Sequence, residues 1–157
     1  MKHCSSPLLA AFAALGLMPA AFAQTAKLDD FVVSATREAR DPFEVPASVD
    51  KINKNTLEKA ASFQVNLSET LTRVPGLVIN NRNNFAQDLQ ISIRGFGARA
   101  TSGVRGVRLF SDGIPATMPD GSGQISHFSL SSTESIEVLR GPFSSLYGNS
   151  SGGVILL

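Results

Sequence analysis

The run Ser135-Ile-Glu-Val-Leu-Arg-Gly-Pro-Phe-Ser-Ser-Leu-Tyr-Gly-Asn-Ser-Ser-Gly-Gly-Val154 constrains the fold more than any other part of the chain. An apolar strand enters an Arg-Gly-Pro corner, makes a small aromatic turn, crosses a Gly/Ser stretch and re-enters an apolar strand. A backbone that doubles back this tightly between two strand-forming runs has to pack closely at the crossing, and glycine is the residue that allows it.

The N-terminus reads differently. Lys2 and His3 precede an apolar run from Leu8 to Leu17, and Ala21-Phe22-Ala23 supplies a small-x-small cleavage signal before Gln24. That order defines a secretory signal peptide over residues 1–23, too short for a spanning helix. Cys4 precedes the apolar run, so a lipid-anchored cysteine is not expected. Cleavage leaves 134 residues, enough for one domain with a modest core. With Lys2 removed, 13 basic residues face 13 acidic ones, which gives no basic footprint for nucleic acid. The only cysteine leaves with the signal, so neither a disulfide nor a cysteine metal site is expected. No mature segment approaches the roughly 20 apolar residues of a membrane helix.

Residues 24–46 are poor in large apolar side chains and read as a flexible tail. Within it, Leu28-Asp-Asp-Phe-Val-Val-Ser-Ala-Thr36 has strong strand preference in polar surroundings. It fits an edge strand or a tail that a partner captures by strand addition, and the residues alone leave both open. Residues 47–53 predict a short strand, and 55–61 a helical turn or two. Asn66 and Glu69 form a capping-box pattern for a helix whose apolar face is Leu67, Leu71 and Val74, stopped by Pro75-Gly76. Leu77–Ile79 predicts a strand. Leu89, Ile91 and Ile93 alternate with Gln90, Ser92 and Arg94, the period of a half-buried strand. Residues 95–106 and 117–123 read as loops. Between them, Val107–Phe110 reaches Ser111-Asp112-Gly113, a tight-turn signal before Ile114-Pro115. Strands at 135–139 and 153–157 complete an α+β fold: a small mixed β-sheet with short helices and long loops, and no β-barrel.

Enzyme motifs fail on context. Gly148-Asn-Ser150-Ser-Gly152 fits the nucleophile elbow, yet strand-like residues follow it where a helix is required. An Asp120, His127, Ser150 order is conceivable, but nothing orients that trio. His127, the only mature histidine, reads as a surface or packing residue. Gly95-Phe-Gly97 lacks the third glycine of a dinucleotide loop. No catalytic set, cofactor or metal site is expected. Arg94 and Arg140 stand out instead, each preceding a glycine at the end of an apolar strand. They read either as solvated strand ends or as handles for carboxylates on another surface, and no acidic cluster of the chain obviously matches them.

In order along the chain, these segments resemble the plug of TonB-dependent outer-membrane receptors. Asp29, Asp30, Phe31, Val32, Val33, Ser34 and Ala35 resemble the TonB box, with Asp30 and Phe31 departing from its commonest residues. Leu71-Thr-Arg-Val-Pro-Gly-Leu77 resembles the plug helix and its stop. Ile91-Ser-Ile-Arg-Gly-Phe-Gly97, Val107-Arg-Leu-Phe-Ser-Asp-Gly-Ile-Pro115 and Ile136-Glu-Val-Leu-Arg-Gly-Pro142 resemble three plug signatures, and Tyr147–Ile155 the lead into a barrel. The resemblance implies a tail pairing with TonB, and a plug over residues 47–152. Arg94 and Arg140 would then dock onto glutamates of the receptor's own barrel. Arg82, Phe85, Phe96, Arg99, Met118 and Asp120 become candidates for touching a ferric siderophore or similar small nutrient. Residues 153–157 are expected to open the first barrel strand. The resemblance implies a 22-stranded barrel around the plug, and strands of about 10 residues each need roughly 220 residues. The chain is therefore expected to be the first part of a longer, exported outer-membrane receptor. The alternative is a stand-alone periplasmic domain that binds TonB or a ligand without transport.

Overall fold

The structure, a computed structural model, describes residues 37–38, 40–41, 43–60, 66–81, 83–84, 88–101 and 103–157. The expected signal peptide and the strand-prone segment 28–36 lie outside these, as do Arg82 and Phe85. The described residues form nine strands in two sheets with three short α-helices and one 3-10 turn at Leu130–Ser132, which is the α+β fold expected, without a closed barrel.

The larger sheet runs β1 (Ser48–Asn53), β8 (Ser135–Arg140), β9 (Gly153–Leu156), β5 (Val107–Ser111), β6 (Ile114–Pro115). All its neighbours are antiparallel except β5 and β9, which are parallel. The smaller sheet runs β2 (Leu77–Asn80), β3 (Gln90–Ile93), β4 (Val104–Arg105), β7 (Ser122–Gly123). Apolar residues of both sheets meet in one core, Ile91, Ile93 and Val104 from the smaller and Ile136, Val138, Ile155 and Leu109 from the larger. Leu57 of α1 (Lys54–Ala60) and Leu67 and Leu71 of α2 (Leu67–Leu71) close it. Each such side chain contributes about 1.5–3 kcal/mol on burial, so this shared layer holds the two sheets together.

The other face of the larger sheet is also covered. Phe110, Leu139, Tyr147 and Val154 form a second cluster under α3 (Ser144–Tyr147). Burial on both faces explains why 153–156 reads as continuous apolar sequence rather than as alternation. Residues 153–156 form the middle strand of the larger sheet, paired with β8 on one side and β5 on the other.

Other local expectations shift for identifiable reasons. Asn66 does sit at the helix N-terminus in extended conformation, but its side chain makes no capping bond. The helix ends at Leu71, and Val74 is buried from the turn that follows it. β3 is not half-buried, because Ser92, on the face opposite Ile91 and Ile93, is only 7% exposed. Two short strands, β4 and β7, lie inside stretches that read as loops.

Candidate functional site

Pro75-Gly76 is where both notable arginines arrive. Arg140 leaves β8 on the core face, and its Nη1 donates to the carbonyl of Pro75 at 2.6 Å. Its Nη2 lies 2.6 Å from Asp50 Oδ2, with the two side chains 14% and 30% exposed. The partner follows from register. Ser48 stands opposite Arg140, so Asp50, two residues on, projects from the same face on the neighbouring diagonal. An acid within the chain thus pairs with Arg140, a partner not obvious from the sequence.

Arg94 reaches the same turn by its backbone. Its N–H donates to Gly76 O at 2.8 Å, and its stem lies against Gly76. It occupies a left-handed conformation, φ 50°, as the first residue of a two-residue turn that returns the chain from Ile93 to Phe96. Its guanidinium is exposed, and no acid of the described residues pairs with it.

Beyond that turn, the chain from Phe96 to Thr101 wraps an open groove of about 880 Å³ whose lining includes Phe96, Arg99 and Arg105. Gly97 makes the wrap possible. A Cβ there would fall 2.6 Å from Ile91 O and 2.8 Å from Arg105 O, and the backbone has φ 89°. Gln90 fixes the far side, its Nε2 donating to Ala98 O at 2.9 Å and Ala100 O at 2.6 Å. Asn80 in turn donates to Gln90 Oε1 at 2.9 Å. Arg99 therefore rides on a loop fastened from β3.

Arg105 also lines a second groove of about 450 Å³ with Asp88, Met118 and His127. Asp120 stands on the turn beside it. Ser122 donates to Asp120 Oδ1 through Oγ at 2.6 Å and N–H at 3.0 Å. Those bonds, the side-chain one foremost and the charge of Arg105 further down, hold the carboxyl below the usual carboxylate range. A third cavity of about 170 Å³ adjoins at Asp88 and is lined by Asn66, Asn81, Asn83 and Asn84 with Leu89 and Phe128.

Asn81, Asn83, Asn84 and Asp88 thus share one rim with the described lining residues of the stretches after β3 and β6, joined at Asp88 and Arg105. Phe96, Arg99 and Met118 sit on it as candidates from sequence, and Asp120 borders it. Arg105, Asp88 and Gln90 were not singled out by sequence. Gln90, a polar residue inside an apolar alternation, carried the only signal. The rim mixes cations, amides and exposed apolar groups, Phe96 being 51% and Met118 57% exposed. Such a surface suits a bulky polar ligand with anionic and aromatic parts. Among the described residues no acid, histidine or cysteine trio is placed to hold a metal ion, and no helix is long and apolar enough to cross a membrane. Ser150 is 1% exposed and donates to Gly148 O at 3.2 Å, and a strand follows it, so it has neither the exposure nor the setting of a nucleophile.

A family model described as the TonB-dependent receptor plug domain matches residues 41–154. FpvA of P. aeruginosa, solved bound to heterologous pyoverdines, is similar at 20% identity and a TM-score of 0.56, over 80% of this chain and 16% of that one. The ferric enterobactin receptor PfeA of Pseudomonas aeruginosa, solved as a mutant, is similar at 23% identity and a TM-score of 0.53, over 72% of this chain and 17% of that one. The ferric yersiniabactin uptake receptor FyuA of Yersinia pestis is 31% identical over 70% of this chain and 16% of its own length, with a TM-score of 0.47. The chain spans less than a fifth of each of these receptors. They are receptors and not enzymes. With its fold also found in FpvA and PfeA, and the family model running from Asp41 to Val154, this chain belongs to the plug domains of TonB-dependent receptors.

Proposed function

We propose that the chain is the gate of an outer-membrane receptor that takes up ferric siderophores or a similar scarce nutrient, energised through its N-terminal segment. The match across residues 41–154 carries this reading. Support for the cargo class comes from the similar receptors, whose names specify pyoverdine, enterobactin and yersiniabactin. In this reading Asp29–Ala35 pairs strand on strand with TonB. Arg94 docks onto barrel carboxylates. The rim of Phe96, Arg99, Arg105 and Met118 meets the nutrient, with Arg82 and Phe85 as further candidate contacts.

A peptide spanning Leu28–Thr36 should bind the periplasmic domain of TonB, and Val33→Pro should abolish binding by removing a ladder donor. Equal binding of both peptides contradicts strand pairing. A second reading, a domain acting without a barrel, draws on one observation. Arg140 already has an ion-pair partner in Asp50 and a hydrogen bond to Pro75 within the chain. On that reading the chain alone unfolds cooperatively as a monomer. A broad, non-cooperative transition excludes it.

A further inference from the structure

Arg37, the first described residue, sits against α3 across the chain. Its Nη2 donates to Leu146 O at 3.1 Å, although the two residues are 109 positions apart. Its guanidinium carbon lies 5.3 Å from the centroid of the Tyr147 ring, within the range of a cation–π contact. Tyr147 in turn meets Phe110 of β5 edge to face, centroids 5.3 Å apart at 66°. Phe110 pairs with Leu156 of the central strand β9. An unbroken series of contacts therefore runs from Arg37, the first described residue, to the middle of the larger sheet.

Two features mark this as more than a chance surface contact. Arg37 has φ 66°, a left-handed conformation that a non-glycine residue holds only when its contacts favour it. Tyr147 is 8% exposed and is the only tyrosine in a chain without tryptophan. Burial pushes its phenol above the ordinary tyrosine range, while Arg37 acts in the opposite sense.

We propose that Arg37 is a clasp that couples the position of the N-terminal segment to the Ser144–Tyr147 turn, and through Tyr147 to the sheet. Drawing the segment away withdraws the guanidinium, uncovers the ring and frees the Leu146 carbonyl. The coupling works in both directions, so loss of the ring loosens the segment. Nothing in it depends on which partner takes hold of residues 28–36, so a failure of the TonB reading leaves it standing.

The lone tyrosine supplies the test. In the full chain, Arg37→Ala should raise acrylamide quenching of tyrosine emission about two- to fivefold, the weight of one cation–π contact. Arg40→Ala, which removes a neighbouring exposed cation ion-paired to Glu38, should leave quenching unchanged. Reciprocally, Tyr147→Leu should speed cleavage after Glu38 by a Glu-specific protease by about the same factor, with cleavage after Glu134 as reference. Unchanged quenching in Arg37→Ala overturns the clasp. So does an equal rise in Arg40→Ala, or cleavage after Glu38 that ignores the loss of the ring. Arg37 is exposed, so its substitution leaves the fold intact for the measurement.

Discussion

Arg140 and Asp50 form an ion pair at 2.6 Å across the β1–β8 edge, and the same guanidinium holds the Pro75 carbonyl. One side chain thus ties β1 and β8, neighbours in the larger sheet, to the turn that leads into the smaller one. Removing only one partner leaves a largely buried charge uncompensated. Asp50→Ala should lower unfolding stability by about 1–3 kcal/mol, read from the urea midpoint. A midpoint that does not move would show the pair to be dispensable. Arg140→Lys keeps the charge but not the fork, so it should fall between Asp50→Ala and the unaltered chain.

The central strand is the most sensitive position to bulk. At Gly153 a Cβ would fall 2.2 Å from Leu139 O and 3.1 Å from Ile93 Cδ1, with φ 154°. The first obstacle is backbone of the paired strand, so it has no room to give. Gly153→Ala should cost about 3 kcal/mol or more. A thermal midpoint within a few degrees of the unaltered chain would contradict the placement of β9 between β8 and β5.

Much of this architecture was legible where the determinants were local. Asp112-Gly113 forms the two-residue hairpin its sequence indicates, with Ser111 opposite Ile114. β4 and β7 were hidden because each is two residues long and exists through partners far along the chain, Ile91 for Val104 and Val104 for Gly123. The partner of Arg140 was hidden for a related reason. Asp50 is no neighbour in sequence, and only the antiparallel register sets it on the right face. Glu137 shows the limit of periodicity. It lies between Ile136 and Val138 in the alternation, and it is 3% exposed and paired with Lys51 at 3.2 Å because the second face of the sheet is covered as well. The loop rim follows the same rule. Sequence indicated that Arg99 and Met118 lie on loops, but Arg105 joins their grooves through its strand position.

Gln90 should govern the shape of the groove rather than the stability of the core. Gln90→Ala removes two bonds to the 98–100 backbone. Amide exchange from Ala98 to Thr101 should accelerate about tenfold, corresponding to about 1.4 kcal/mol of local stability. Exchange in β8 and β9 should not change. Uniform acceleration across the chain would assign Gln90 to global folding instead.

Acid should open the 118–123 turn. The Asp120 carboxyl titrates below its usual range because Ser122 hydrogen-bonds to the charged form. A depressed folded-state value means the contribution is present above the unfolded value of about 3.9 and is lost as pH falls through the folded one. The Ser122 amide resonance should therefore move with a midpoint below about 3.9. A midpoint at or above that value would contradict the pairing, as would no shift in Ser122 when Asp120→Asn is introduced.

Energised uptake separates the gate from every other assignment. In cells producing a receptor that carries this chain, deletion of residues 28–36 should leave binding of a labelled ferric siderophore unchanged and abolish its accumulation. Accumulation at the undeleted rate, with binding equally intact, would contradict the proposed role of this chain as a gate worked through its N-terminal segment.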